Sequence, residues 1–407
     1  MPTADPADLD SPRIRRAGKE LLSLALMDAR NHLLRWIGAF EPLLAAAERP
    51  LAPQPDLDPP LWLLGHAGWF QEYWLARNVQ RARGEACNPT QARLASIEPQ
   101  ADRWFDPAAT APAQRWQLGL PDLLALKQYL AGTLETTLEL LDAADETDEA
   151  LYLYRLALCH EDRRVEDFAM LSQALGLDSG LLPPLQGRAA RPPLWFPATR
   201  HVLGARPGGF VFDDEKWAHE VALPEFEIDA QAVNWAQYTE FVEDGGYDDA
   251  RWWSADGWDW VQRLGRRSPR HVEQMRHGVL AQRFGRLTRV PLALPVTHVC
   301  WYEADAWCRW AGRRLPTEVE WDAAARAGRA RGLHWGQVWE WTASTYRPYP
   351  GFAAGPAGGA ATAGFGQAKV LRGASFATAA RLRDEGRRQP QAPDADHLFS
   401  GFRSCPG

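Results

Sequence analysis

Four stretches in the first half of the chain carry apolar side chains at three- and four-residue spacing, and this feature limits the possible folds more than any other. Over residues 17 to 47, Leu21, Leu22, Leu24, Ala25, Leu26, Leu33, Leu34, Trp36 and Ile37 recur in this way and predict a helix. The stretch LAPQPDLDPPLW breaks it. A second helix is expected over 60 to 83, entered through Pro59 and Pro60. After a polar, proline-bearing connection from Cys87 to Leu118, a third is expected over 121 to 143, with Pro121 near its first turn, and a fourth over 148 to 175. Helices that each have one apolar stripe to bury, joined by loops, predict a bundle.

The segment SGLLPPLQGRAARPPLWFP, Ser179 to Pro197, is rich in Gly and Pro and reads as a linker. Beyond it the pattern changes to short candidate strands such as VALPEFEIDA, separated by turns. Clear amphipathic helices are expected only from Tyr302 to Trp310 and around Glu318 to Ala325. In RRLPTEVEW, Thr317 is placed to cap the second of these, with Glu320 at the capping-box position. The chain has 20 Trp against 9 Tyr, many of the Trp beside Gly or Asp in the second half, which implies ordered loops pinned by large side chains. VWEWTAS (338 to 344) reads as a packed aromatic turn, and Asp213, Asp214 and Glu215 read equally as solvent-facing or as a structural salt bridge. The expected architecture is α+β and multidomain: a helix bundle over 15–178, a linker over 179–198 and a loop-rich mixed α/β domain over 199–407.

With 46% apolar residues and 24% charged residues the composition is globular. A net charge of -7 argues against nucleic acid as the main partner. No run of 18 apolar residues exists, so no membrane span is expected, and MPTADPADLDSPRIRRAGKE has no apolar stretch of the secretory kind. The five Cys (87, 159, 300, 308, 405) form no CxxC pair, which is simplest for a reduced, cytoplasmic protein.

Two histidines stand out. His66 lies in WLLGHAGWF, where Gly65 permits close approach and Trp69 and Phe70 supply an apolar shell; His160 lies in LALCHEDRRVEDF. Imidazoles from separate helices that converge on one point can hold a metal ion, and each can equally be a hydrogen-bonded core residue. At the i+4 position from His160 stands Arg164, which keeps its proton and offers no lone pair. Glu161, Glu166, a water or a substrate atom are the substitutes; alternatively Arg164 pairs with Glu161 or Asp167 and closes the site.

Several blocks carry a family resemblance. FVFDDEKWAHEVALPEFEIDAQAVNWAQYTEFVEDGGY (210 to 247), HVCWYEADAWCRWAGRRLPTEVEWDAAA (298 to 325), VWEWTAS, VLRGASF (370 to 376) and FSGFRSC (399 to 405) resemble the formylglycine-generating, sulfatase-modifying-factor fold in order and spacing. Joined to a bundle carrying LWLLGHAGWFQEYWLARN and RLALCHEDRRVEDF, they resemble the ergothioneine-type sulfoxide synthases, non-haem iron enzymes with a DinB-like bundle. The wording MDARNHLLRWIGAFE, GHAGWFQEYW, LETTLELL, HED and GFRSC looks most like the selenoneine synthase branch.

The resemblance implies Fe(2+), with His66 and His160 as ligands and Arg164 where a third His is expected. It implies oxygen-dependent C–Se bond formation between a selenosugar and C2 of the imidazole of hercynine. The alternatives are C–S bond formation with a thiol donor, as in the ergothioneine pathway, and a binding protein that has lost catalysis at Arg164. Tyr73, Trp74, Trp252, Trp258 and Trp341 are candidates to receive the hercynine cation. Arg372 and Arg403 are candidates to hold an anionic group or to brace a turn. The copper chemistry of the formylglycine-generating enzymes needs a Cys pair, and Cys405 has no matching partner nearby in sequence. Arg388, Gln389 and Pro390 stand where the synthases carry Arg-Asn-aromatic.

Overall fold

The computed structural model describes residues 8–45, 51–358 and 362–407; the opening residues 1–7 and the last two positions of the first expected helix lie outside them. Long helices α1 (Lys19–Ala45), α2 (Pro60–Gln71), α5 (Leu123–Asp142) and α6 (Asp148–Leu175) form the bundle, with short helices α3 (Ala101–Phe105) and α4 (Pro112–Arg115) in the connection between α2 and α5. Local chemistry sets the ends. Pro60 opens α2, the Asp122 carboxylate caps α5, and the Thr147 hydroxyl caps α6, which closes on Gly176 at φ 70°. The second helix is shorter than its periodicity predicts. Its α-turns stop at Gln71, one π-turn covers Glu72–Ala76, and the Asn78 side chain then accepts from the Gln80 amide in a turn.

The bundle is locked by Arg30. From α1, this buried guanidinium donates to the Glu161 carboxylate of α6 (2.6 Å), to the Gln71 side chain of α2 (2.7 Å) and to the Leu130 carbonyl of α5. The same α6 carries the second domain. Glu166 accepts from Trp339 Nε1 (2.8 Å), Thr378 Oγ1 (3.0 Å) and Ser375 Oγ, while Asp162 pairs with Arg381 through two bonds of 2.8 and 2.9 Å. One contiguous apolar core follows, from Phe40, Trp62 and Phe168 in the bundle to Trp235, Trp339, Phe376 and Phe399 beyond it.

The second half is mixed α/β and rich in loops. Its main sheet orders the strands Arg388–Gln391, Lys369–Gly373, Trp339–Thr345 and Ser400–Phe402, the last running parallel to its neighbour. VWEWTAS is thus mostly the central strand rather than a turn: its Trp and Thr suit a pleated element, and its first four residues are buried. VALPEFEIDA divides at Pro224 into the strands His219–Leu223 and Phe226–Ile228. The latter pairs with Leu194–Phe196, within the stretch read as linker. Helices α7 (Trp235–Glu243) and α8 (Ala255–Leu264) occupy Trp-rich segments expected as loops; their signal lay in their caps, Asn234 with Gln237 and Ser254 with Gly265. Helices α9 (Trp301–Trp310) and α10 (Glu318–Gly328) match expectation, and Thr317 and Glu320 form the expected capping box. Asp213 and Glu215 make structural ion pairs, with Lys216 and with Arg15 and Arg387. Among the described residues no helix is long and apolar enough to cross a membrane.

Arg30→Leu leaves Glu161 buried without its cation and is expected to cost about 3–5 kcal/mol. The double variant Arg30→Leu/Glu161→Leu should recover much of this, as read by urea denaturation followed through tryptophan fluorescence.

Candidate metal centre

His66 on α2 and His160 on α6 meet with their Nε2 atoms 3.2 Å apart. His66 Nδ1 donates to the Phe105 carbonyl at 2.8 Å, so in the neutral ring Nε2 carries the lone pair. Two imidazole nitrogens bound to one ion at about 2.1 Å, in adjacent positions at a right angle, lie about 3 Å apart. The pair therefore has the spacing of two neighbouring ligands. Both rings are held by stacking: Trp62 lies on His66 (centroids 4.6 Å, 11°) and Phe70 on His160 (3.6 Å, 4°). Trp69 also stacks on His66, with centroids 5.6 Å apart.

The electrostatics keep both rings neutral. Burial, then the Arg164 guanidinium, pushes His66 down to about 3, against the opposing bond to Phe105. Burial and the same guanidinium hold His160 well below the ordinary imidazole range. Neutral imidazole is the form that binds a metal. His160 Nδ1 is buried with no hydrogen-bond partner, unlike the Nδ1 of His66.

The donor set is short by one. Arg164, a turn beyond His160, pairs with Asp167 at 3.1 Å, one of its two expected partners. Glu161 is taken by Arg30 and Glu166 by the second domain, so neither stands in as a ligand. Among the described residues no group of three His, Cys, Asp or Glu side chains could hold an ion. The residues fit two adjacent positions of one metal and leave the others to non-protein ligands.

The remaining candidates lie apart from this pair. Arg372 pairs with Asp322 and donates to the Glu385 carbonyl at 2.7 Å; Arg403 is bidentate to Glu340 and donates to the Asp229 and His334 carbonyls. Both brace the second domain. Trp252 is half-buried beneath the Arg251 guanidinium, Trp258 is half-buried on α8, and Trp341 is fully buried with its Nε1 on the Val299 carbonyl. Tyr73 packs on Trp69 at 4.9 Å, one ring away from His66, and Trp74 packs on Phe70. Sequence reasoning missed Trp62, which lies one helical turn before His66 and was open to an i, i+4 argument. It also missed Phe105, which no local pattern connects to His66.

A model of the sulfatase-modifying factor enzyme 1-like domain matches residues 196–336 and 332–405. Over 95% of its length the chain is 31% identical to a hercynine oxygenase of Mycolicibacterium smegmatis, covering 98% of that protein. It is 29% identical over 94% of its length to a hercynine oxygenase of Mycobacterium tuberculosis, again covering 98% of the relative. A formylglycine-generating enzyme of Streptomyces coelicolor is 33% identical over 38% of this chain and 53% of its own.

Gly65 lets the Phe105 ring in: a Cβ there would lie 2.2 Å from it. Gly65→Ala should displace Phe105, free His66 Nδ1 and weaken ferrous-ion binding by about 10–100-fold, the usual cost of losing a ligand's orienting partner. Anaerobic titration with ferrous iron checks this, and unchanged affinity would show that the Phe105 carbonyl does not orient the ring.

Proposed function

We propose an oxygen-dependent oxidoreductase that acts on hercynine with ferrous iron, on the premise that the chain belongs to the family of the hercynine oxygenases, with a sulfatase-modifying factor enzyme 1-like second half. The observation that carries the reading is the 3.2 Å approach of His66 and His160 from separate helices. Similarity to hercynine oxygenases over nearly the whole chain supports C–S bond formation with a thiol donor as the main reading. The selenosugar donor, with C–Se bond formation, rests on the local wording of the bundle helices alone.

Ferrous iron, when bound, supplies oxygen activation and the redox chemistry. The chain supplies the rest. His66, turned by the Phe105 carbonyl, and His160, stacked on Phe70, would hold the ion through neutral nitrogens. Trp62, Trp69 and Phe70 exclude water around them. Arg164 keeps a positive charge beside the rings, which opposes their protonation. That same residue favours a second reading, a hercynine-binding protein without turnover, because it occupies the helix position from which a third ligand would project.

The test is direct. The protein is loaded anaerobically with ferrous iron, oxygen is admitted, and hercynine is offered with a thiol donor or a selenosugar. The expected product is a C2-thiolated hercynine derivative, formed by the parent chain and not by His160→Ala. Selenium product alone would move the donor assignment to the selenosugar. Hercynine binding with no product from either donor would overturn the enzyme reading in favour of the binding protein.

A further inference from the structure

Among the described residues Arg163, whose charge acts on His160, has no ion-pair partner. It follows His160 by three residues on α6, so the two side chains leave the same helix face. Its Nε is buried without a hydrogen bond, and among the described residues its side chain makes no hydrogen bond or ion pair. Its guanidinium lies over the ring of Phe212, 4.4 Å away. Two more guanidinium groups crowd that ring, Arg387 at 3.9 Å and Arg15 at 4.7 Å. Both of these share a single carboxylate, Glu215, at 2.8 Å from Arg15 and 3.4 Å from Arg387. Asp214 and Asp167 attract Arg163 from beyond ion-pair range. Burial first, and the repulsion of Arg387 next, bring Arg163 down to about 10.

A phenyl face offsets only part of the cost of desolvating a cation. Arg163 is half-buried with only its Nε enclosed, so its guanidinium stays open to a ligand that would complete it. The guanidinium cluster sits between α6 and the second domain, because Phe212 and Arg387 both come from the far side of that junction. Its chemistry is that of a planar anion: a guanidinium matches a carboxylate through two parallel hydrogen bonds. We propose that Arg163, with Arg387 beside it, binds the carboxylate of the substrate whose reacting end lies at His66 and His160. The identity of that substrate rests on the hercynine reading; the anion site itself does not. Hercynine and an amino-acid thiol both carry a carboxylate, whereas a neutral selenosugar does not.

Two measurements test this. Crystals of the full chain soaked in bromide should show an anomalous peak within hydrogen-bonding reach of Arg163, absent in Arg163→Gln and kept in Arg163→Lys. No peak in the parent chain overturns the anion site, whether or not hercynine is turned over. Calorimetric titration of the iron-loaded protein then compares hercynine, its decarboxylated analogue trimethylhistamine, and cysteine. Arg163→Gln should weaken hercynine or cysteine by about 10-fold or more and leave trimethylhistamine unchanged. Loss confined to hercynine or to cysteine identifies which substrate supplies the carboxylate. Equal binding of all three to the variant and the parent overturns the substrate assignment. A bromide peak in a parent chain that binds no hercynine keeps the anion site and removes the hercynine reading.

Discussion

Everything at the histidine pair depends on one buried guanidinium. Arg30 reaches from α1 to α2, α5 and α6, so the four long helices are cross-braced at one level of the bundle. Its partner on α6, Glu161, is the residue after His160; its partner on α2, Gln71, lies five positions after His66. Fixing those two partners fixes the helices that carry the imidazoles. A buried ion pair is weak as a source of net stability, because desolvating its charges offsets their attraction. Here its directional bonds set register, which apolar packing alone does weakly.

The helix α6 then works on several faces at once. Glu161 faces the bundle, Asp162 and Glu166 face the second domain, and His160 faces α2. Arg163 and Arg164 add positive charge within a turn of the histidine. That charge has two consequences. It favours neutral imidazoles, ready to bind a metal, and it draws anions to the junction of the two domains. A cation so placed also opposes a bound metal ion, and an anionic substrate would offset that opposition.

How far the sequence reaches can be read from particular residues. Periodicity located the four long helices, because burying an apolar stripe forces a 3.6-residue repeat. His66 and His160 were legible as candidates because each sits in an apolar helix segment. The turn chemistry after Gln71 and the caps of α7 and α8 were present in the sequence but masked by stronger apolar signals. Glu161 and Glu166, open as substitute ligands on helical spacing, are committed to Arg30 and to Trp339. Those partners lie 131 and 173 residues away, beyond any local pattern.

The sequence by itself determined the helix bundle, the change to a loop-rich second half, the two histidines and the guanidinium at the i+4 position, since each follows from local spacing and side-chain chemistry. Only the tertiary structure decided that the two Nε2 atoms meet at 3.2 Å, that the Phe105 carbonyl turns one ring, and that among the described residues Arg163 has no ion-pair partner while Arg372 and Arg403 have theirs. Spacing along a helix tells which way a side chain leaves the backbone. What it meets there depends on chain segments tens to hundreds of residues distant, brought close only when the shared core closes.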